Sequence, residues 1–313
     1  DNCMACHDGL TSAKAEDVSI GFAWRATAMA QSARDPYWQA SVRRETTDHA
    51  VAAAAIENEC STCHMPMDHL QAHAEGRKAR VFANLHPAAA PAQTALARDG
   101  VSCTLCHQIE PDKLGSPESF VGQFVIETTG RLPRQAKGPF AVRPEVARVM
   151  KSATQFLPTQ ASHIGSAEMC ATCHTLITEA LGPRGEVVGR LPEQVPYLEW
   201  KESRYRGTVN CVSCHMPKVE EEAPIANLLA EPRTGVLRHM FVGGNFMLPA
   251  FLERLRVSTQ AAPQDFQRDR TAVRSFLSQK AARLSLGDLS VKDGVLRALI
   301  TVENQAGHKL PTA

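Results

Sequence analysis

The sequence predicts a mainly α, irregular fold with short β-hairpins and a small β tail at the C-terminus. Three observations predict it. Ala-rich runs without Gly or internal Pro, such as Tyr37–Glu59, have the composition of helices. Pro and Gly recur through 109–158 and interrupt that texture. The last long stretch, Leu284–Glu303, alternates apolar and polar residues around Asp293-Gly294, the strongest short-range hairpin signal.

The elements follow in order. Ile20–Gln31 is a helix-compatible run. Asp35-Pro36 reads as a helix start, with Asp as N-cap and Pro in the first helical position. The run from Tyr37 to Glu59 then makes one helix of about six turns at 3.6 residues per turn. Met67–Glu75 is a second, shorter helix with His69 and His73 four apart on one face. Pro91–Arg98 is helical, and Gly100 stops it. Residues 109–158 read as a long covering loop with a short strand at Gln123–Thr128. Ser166–Thr175 is helical, Gly182-Pro-Arg-Gly185 is a turn between extended pieces, and Pro192–Tyr205 is a helix. Lys218–Pro232, acidic and Pro-bearing, is a surface excursion. Phe246–Val257 and Pro263–Leu284 are amphipathic helices. The tail hairpin is marginal alone. It is expected to pack on the rest of the chain, to join a partner, or to begin a β-domain cut short after Ala313. Two regions are expected: 1–245, and 246–313 as a helical extension with the β tail.

A five-residue pattern recurs along this framework: Cys3-Met-Ala-Cys6-His7, Cys60-Ser-Thr-Cys63-His64, Cys103-Thr-Leu-Cys106-His107, Cys170-Ala-Thr-Cys173-His174 and Cys211-Val-Ser-Cys214-His215. All ten cysteines of the chain fall in it. C-x-x-C-H is the pattern of c-type haem attachment. Two thiols add across the two vinyl groups of one haem, and the His that follows becomes the proximal iron ligand. A single motif could be half of a zinc site, but zinc sites pair such knuckles and five would leave one over. A disulfide framework gives no reason for a His after every second Cys. The pattern therefore predicts five covalently attached c-type haems. Aromatics make up only 5% of the chain, and five porphyrins would supply the missing planar, apolar bulk. The unequal motif spacing argues against a solenoid and for an irregular, haem-wrapped α fold.

Twelve histidines less five proximal ones leave seven, enough for a second axial nitrogen on every iron. Four are preferred: His49, on the helix that feeds the second motif; His163, shortly before Cys170; His239 in Arg238-His-Met-Phe-Val-Gly-Gly244; and His308 after Gly307. The fifth comes from His69, His73 or His86, with His86 preferred because Pro87 stiffens the backbone beside it. Met65, Met67 and Met216 follow proximal histidines too closely to reach the opposite haem face, and read as apolar packing.

These motifs identify a resemblance to the multihaem c-type cytochromes. Cys60-Ser-Thr-Cys-His-Met-Pro66 and Cys211-Val-Ser-Cys-His-Met-Pro217 resemble segments common among bis-His members. Pro192–Trp200, Arg238–Asn245 and Glu303-Asn-Gln-Ala-Gly-His-Lys-Leu-Pro-Thr312 resemble segments of exported multihaem cytochromes of environmental bacteria. In that family a Gly-His segment like Gly307-His308 supplies a distal ligand. Pentahaem nitrite reductases share the haem number, but their usual active-site motif ends in Lys and all five here end in His.

The resemblance implies electron transfer through a chain of five bis-His haems, in respiratory or extracellular electron transfer, with other redox proteins, cytochrome subunits, or further copies in a homo-oligomer or haem filament as partners. The alternative is a redox enzyme with one open haem that reduces a small nitrogen or sulfur oxyanion; an electron carrier is preferred, with no catalytic residue assigned. A net charge of +1 gives no basic field for nucleic acid. No run of apolar residues is long enough to span a bilayer. Haem attachment outside the cytoplasmic membrane, with a start at Asp1 read as either a mature form or one trimmed at the N-terminus, implies a periplasmic or extracellular protein.

Overall fold

A computed structural model describes residues 3–86, 91–130, 132–255 and 259–312. It corrects the expected fold class. The structure is 42% helix and 18% strand, a mixed α and β architecture rather than a mainly α one. The strands form three separate two-stranded sheets: β1 (Arg134–Gly138) with β2 (Phe156–Gln160), β3 (Leu176–Leu181) with β4 (Val187–Gln194), and β5 (Ala282–Lys292) with β6 (Val295–Asn304).

The departures fall at defined places. The expected loop 109–158 contains β1, the helix Pro144–Thr154 and β2; the two strands run parallel, in register from Arg134↔Phe156 to Gly138↔Gln160. Gln123–Thr128 makes only an isolated bridge, Ile109↔Ile126. The single helix expected over Tyr37–Glu59 is two, Pro36–Asp48 and Ala53–His64, broken at His49 with φ −120° and ψ 56°. Thr46 and Thr47 donate back to the Arg43 carbonyl at 3.1 and 2.7 Å just before the break, a bond that competes with helix continuation. Pairing across the Gly182–Gly185 turn runs on to Gln194, so the helix expected from Pro192 begins at Pro196 and covers only Pro196–Lys201. The last α-helix, Pro263–Phe276, continues as a π-helical turn over Leu277–Ala281 and stops there, because residues from Ala282 onward pair with β6, starting at Asn304. Ile20–Trp24 is helical, but 25–31 is not. Lys218–Pro232 is not wholly superficial, since Val219 and Ala223 are buried against Leu10, Val18 and Val236.

Other signals match the structure. The Asp35 carboxylate caps Tyr37 N–H at 2.8 Å. Helices occupy Pro66–Ala74 and Pro91–Arg98. Asp293 and Gly294 both take positive φ, 53° and 76°, as a two-residue hairpin of matching twist requires.

No single apolar core organises the described residues. Buried apolar side chains fall into small separate groups, one around Trp38 and Met65, one around Leu10 and Val236, one around Leu248 and Phe266, and one around Ala171 and Tyr197. Accessible surface totals 17876 Å² for 34.0 kDa, about 40% above the roughly 12,800 Å² of a compact monomer of that mass. Part of the excess is the β5–β6 ribbon, exposed on both faces. The helices Met247–Leu255 and Pro263–Phe276 pack on the N-terminal segment: Leu248, Leu252 and Phe266 enclose Ala26, and Arg25 pairs with the buried Asp265 at 2.7 Å. Among the described residues no helix is long and apolar enough to cross a membrane.

Candidate functional site

Each Cys-x-x-Cys-His motif starts or ends on a short helix: Met4–His7, Ala53–His64, Cys103–Cys106, Ala167–Ala171 and Cys211–His215. Helical spacing puts the two thiols, three apart, and the His, four from the first thiol, on one face. The local sequence fixes three of these turns. Ser102 caps Leu105 N–H, Ser166 caps Met169 N–H, and Asn210 and Ser213 form a reciprocal capping box.

Four proximal histidines share a second feature that no motif announces. His7 Nδ1 donates to the Ile225 carbonyl and His215 Nδ1 to the Val242 carbonyl, both at 2.5 Å. His107 Nδ1 donates to the Lys137 carbonyl. His64 Nδ1 lies 3.5 Å from the Ser32 carbonyl, and its ring stacks on Trp38 with centroids 4.5 Å apart. A carbonyl bond at Nδ1 sets the tautomer and leaves Nε2 as the free lone pair, the arrangement that metal-ligating histidines show.

Two of the candidate distal histidines stand opposite proximal ones. His239 lies 6.3 Å from His107, centroid to centroid, and His308 lies 6.3 Å from His215 with ring planes 7° apart. Metal–imidazole bonds of about 2.0–2.1 Å and a ring radius of about 1.1 Å place two rings on opposite sides of one metal about 6.2–6.5 Å apart. The observed spacing is too long for ring-on-ring contact and matches that separation. His239 and His308 also turn Nδ1 toward backbone carbonyls, of Leu237 at 3.2 Å and Lys309 at 2.9 Å.

Burial lowers the pKa of His64, His107, His174 and His215. His239 is pushed down to about 4 by burial, then by His107 and His7. All five are neutral at pH 7, the form that binds metals. His174 keeps more than a third of its surface accessible, yet burial is the leading cause of its shift. Burial likewise pushes Cys60 and Cys103 up to about 12 and Cys106 to about 11, so these thiols are not thiolates poised for zinc. Among the described residues no three His, Cys, Asp or Glu side chains converge as a metal-ion cage, whereas a structural zinc site needs four. An axial haem pair uses two.

The remaining candidates are less simply placed. His49 sits at the helix break, its Nε2 3.9 Å from the Glu45 carboxylate and its buried Nδ1 without a partner among the described residues. His163 uses Nε2 on the Ile109 carbonyl at 2.9 Å and would have to leave it to reach an iron. His86 is exposed, and Pro87 lies outside the described residues. His69, pushed down to about 4 by burial and then by His73, bonds Ser61 Oγ at 2.9 Å through Nδ1, and the His69 and His73 rings stack at 4.1 Å. Sequence reasoning missed the carbonyls of Ile225, Lys137 and Val242, the Trp38 stack, and the Gln194 side chain beside His174. Backbone acceptors carry no residue-type signal, and Ile225 is 218 residues from the histidine it orients.

Comparison with protein-family models, with curated proteins and with solved structures finds no match for this chain.

Proposed function

We propose that this chain is a multihaem c-type cytochrome that carries electrons on five covalently attached haems and is not itself a substrate-converting enzyme. The observation that carries the reading is the pairing of His107 with His239 and of His215 with His308, each at 6.3 Å. Haem iron held in such a pair cycles between ferric and ferrous states and supplies one-electron transfer. The chain's own residues do the rest. Cys3 and Cys6, Cys60 and Cys63, Cys103 and Cys106, Cys170 and Cys173, and Cys211 and Cys214 anchor the groups. His7, His64, His107, His174 and His215 face the iron from the proximal side. The carbonyls of Ile225, Lys137 and Val242 hold three of these rings by Nδ1, which fixes their orientation and raises their basicity. Two nitrogens per iron leave no position for substrate, and imidazole pairs without Met favour low potentials. A protein that acquires its haems in this way is matured outside the cytoplasmic membrane, so a periplasmic or extracellular location and a redox-protein partner belong to the same proposal.

A pyridine haemochrome assay on the purified, matured protein tests it. Five haems c per chain and a ferric EPR spectrum with low-spin signals alone are expected. Fewer than five haems, or a high-spin signal that shifts with nitrite, cyanide or sulfite, would overturn the carrier reading; the second result would favour the oxyanion-reducing alternative.

A further inference from the structure

We propose that the fourth motif, Cys170–His174, is a junction at which the second, third and fifth motifs meet, so that the five haems form a branched array and not a row in sequence order. This rests on the haem reading above and adds the connectivity.

Three contacts converge on the fourth motif. Toward the second motif, the Cys63 and Cys173 side chains lie near enough for each to shift the other's thiol pKa. The same approach is held by backbone: Gly122 N–H donates to the Thr172 carbonyl at 2.6 Å, while a Cβ on Gly122 would stand 2.3 Å from Thr62 Cγ2 and 3.6 Å from Cys63 Sγ. The 119–122 segment is thus wedged between the two motifs, and Thr172 Oγ1 clamps its Ser119 carbonyl at 2.6 Å. Toward the fifth motif, the Cys170 and Cys211 side chains likewise lie near enough for each to shift the other's thiol pKa. Cys211 packs on the Ala167, Ala171 and Tyr197 cluster, and Asn210, which caps the fifth motif, bonds the Gly165 carbonyl at 2.9 Å. Toward the third motif, His163 bonds the carbonyl of Ile109, two residues beyond His107, and β2, which leads into the fourth motif, pairs with β1, whose Lys137 carbonyl holds His107. Thioether sulfurs mark the vinyl-bearing edge of a haem, so motifs whose cysteines are neighbours would bring two haem edges near each other.

The first motif joins this cluster through the third. His239, which stands opposite His107, is carried by the same 217–242 segment whose Ile225 carbonyl holds His7. The His7, His107 and His239 rings lie near enough for charge on one to oppose charge on another. The connectivity is therefore one–three–four, with two and five both on four. Its three ends, at the first, second and fifth motifs, give the protein three exchange points where a row would have two.

The test counts neighbours in the matured, full-length protein. Cys60→Ala with Cys63→Ala, and separately Cys170→Ala with Cys173→Ala, each lowers the haem count by one. Haem-methyl NMR resonances of the oxidised protein then report which remaining haems sense the loss. Branching predicts that loss of the second site perturbs one remaining haem, and that loss of the fourth perturbs three. A row in sequence order predicts two and two, which would overturn the proposal. Where the fourth-site variant does not mature, iron positions in the unmodified protein from anomalous diffraction decide. Nearest-neighbour pairs one–three, three–four, two–four and four–five support branching; any close pair between the first and second sites refutes it. Unmodified protein with fewer than five haems defeats the haem reading itself, which is a separate failure.

Discussion

Replacing His308 with Ala separates what holds the C-terminal segment from what that segment does. If His308 stands opposite His215 across one iron, the variant loses one axial nitrogen out of ten, and one ferric haem in five turns high-spin or takes an exogenous ligand. The segment itself should stay seated. The Glu199 carboxylate, 7% exposed, accepts Lys309 N–H at 2.9 Å and Thr312 Oγ1–H at 2.7 Å. Tyr205 O–H donates to the Gln305 carbonyl at 3.1 Å, and Gly307 lies so close to Trp200 that a Cβ would stand 3.3 Å from its ring. Each hydrogen bond to a charged group is worth about 1.5–3 kcal/mol. Taking the low end for two partly exposed partners, the carboxylate contributes about 3 kcal/mol, a factor of roughly 100 in the population of the detached segment. Glu199→Ala should then speed hydrogen exchange at the Lys309 amide about 100-fold, while His308→Ala leaves it within a few-fold. EPR at low temperature measures the spin states, and exchange mass spectrometry measures the anchoring. An unchanged, wholly low-spin spectrum in His308→Ala would refute the pairing, and equal amide exchange in Glu199→Ala and the parent would refute the anchoring.

Three further outcomes follow from single side chains. His239→Ala should likewise convert one ferric haem in five, and His239→Ala with His308→Ala two; an effect of the pair no larger than either alone would show that both serve one iron. Asp269 is buried with one carboxylate oxygen unpartnered among the described residues, and burial raises its pKa from 3.8 to about 7. Between those values the folded state binds more protons than the unfolded one, so stability falls as pH rises through that window, by at most about 4 kcal/mol. Asp269→Asn should remove that loss, and melting curves of parent and variant that run parallel from pH 5 to 8 would exclude it. Gly122→Ala should cost roughly 2–5 kcal/mol, from a left-handed φ of 70° that L-residues resist and from the Thr62 contact; adding Thr62→Ser should restore the second part alone, read as the shift in thermal midpoint.

The chemistry of the candidate site was legible in the sequence because it is carried by covalent spacing. Cysteines three apart and a His directly after them share a helix face wherever that helix lies, so the five motifs could be read without a fold. His239 and His308 stood out as candidates for a related reason: both follow the last motif in short Gly-bearing segments, where few other roles explain a histidine. The strand content was not legible. Residues 134–138 and 156–160 have no alternation to mark them, and become strands only by pairing with each other across an intervening helix. The break at His49 depends on Thr side chains that back-bond in one particular helix. Which histidine faces which depends on long-range placement, as with His7 held by a carbonyl 218 residues away. Sequence by itself determined the inventory of ten thiols and twelve imidazoles, because bonding chemistry is local. Only the tertiary structure brings the His239 ring to 6.3 Å from His107 and the His308 ring to 6.3 Å from His215, because proximity between distant segments is settled by packing and backbone pairing that no short stretch encodes.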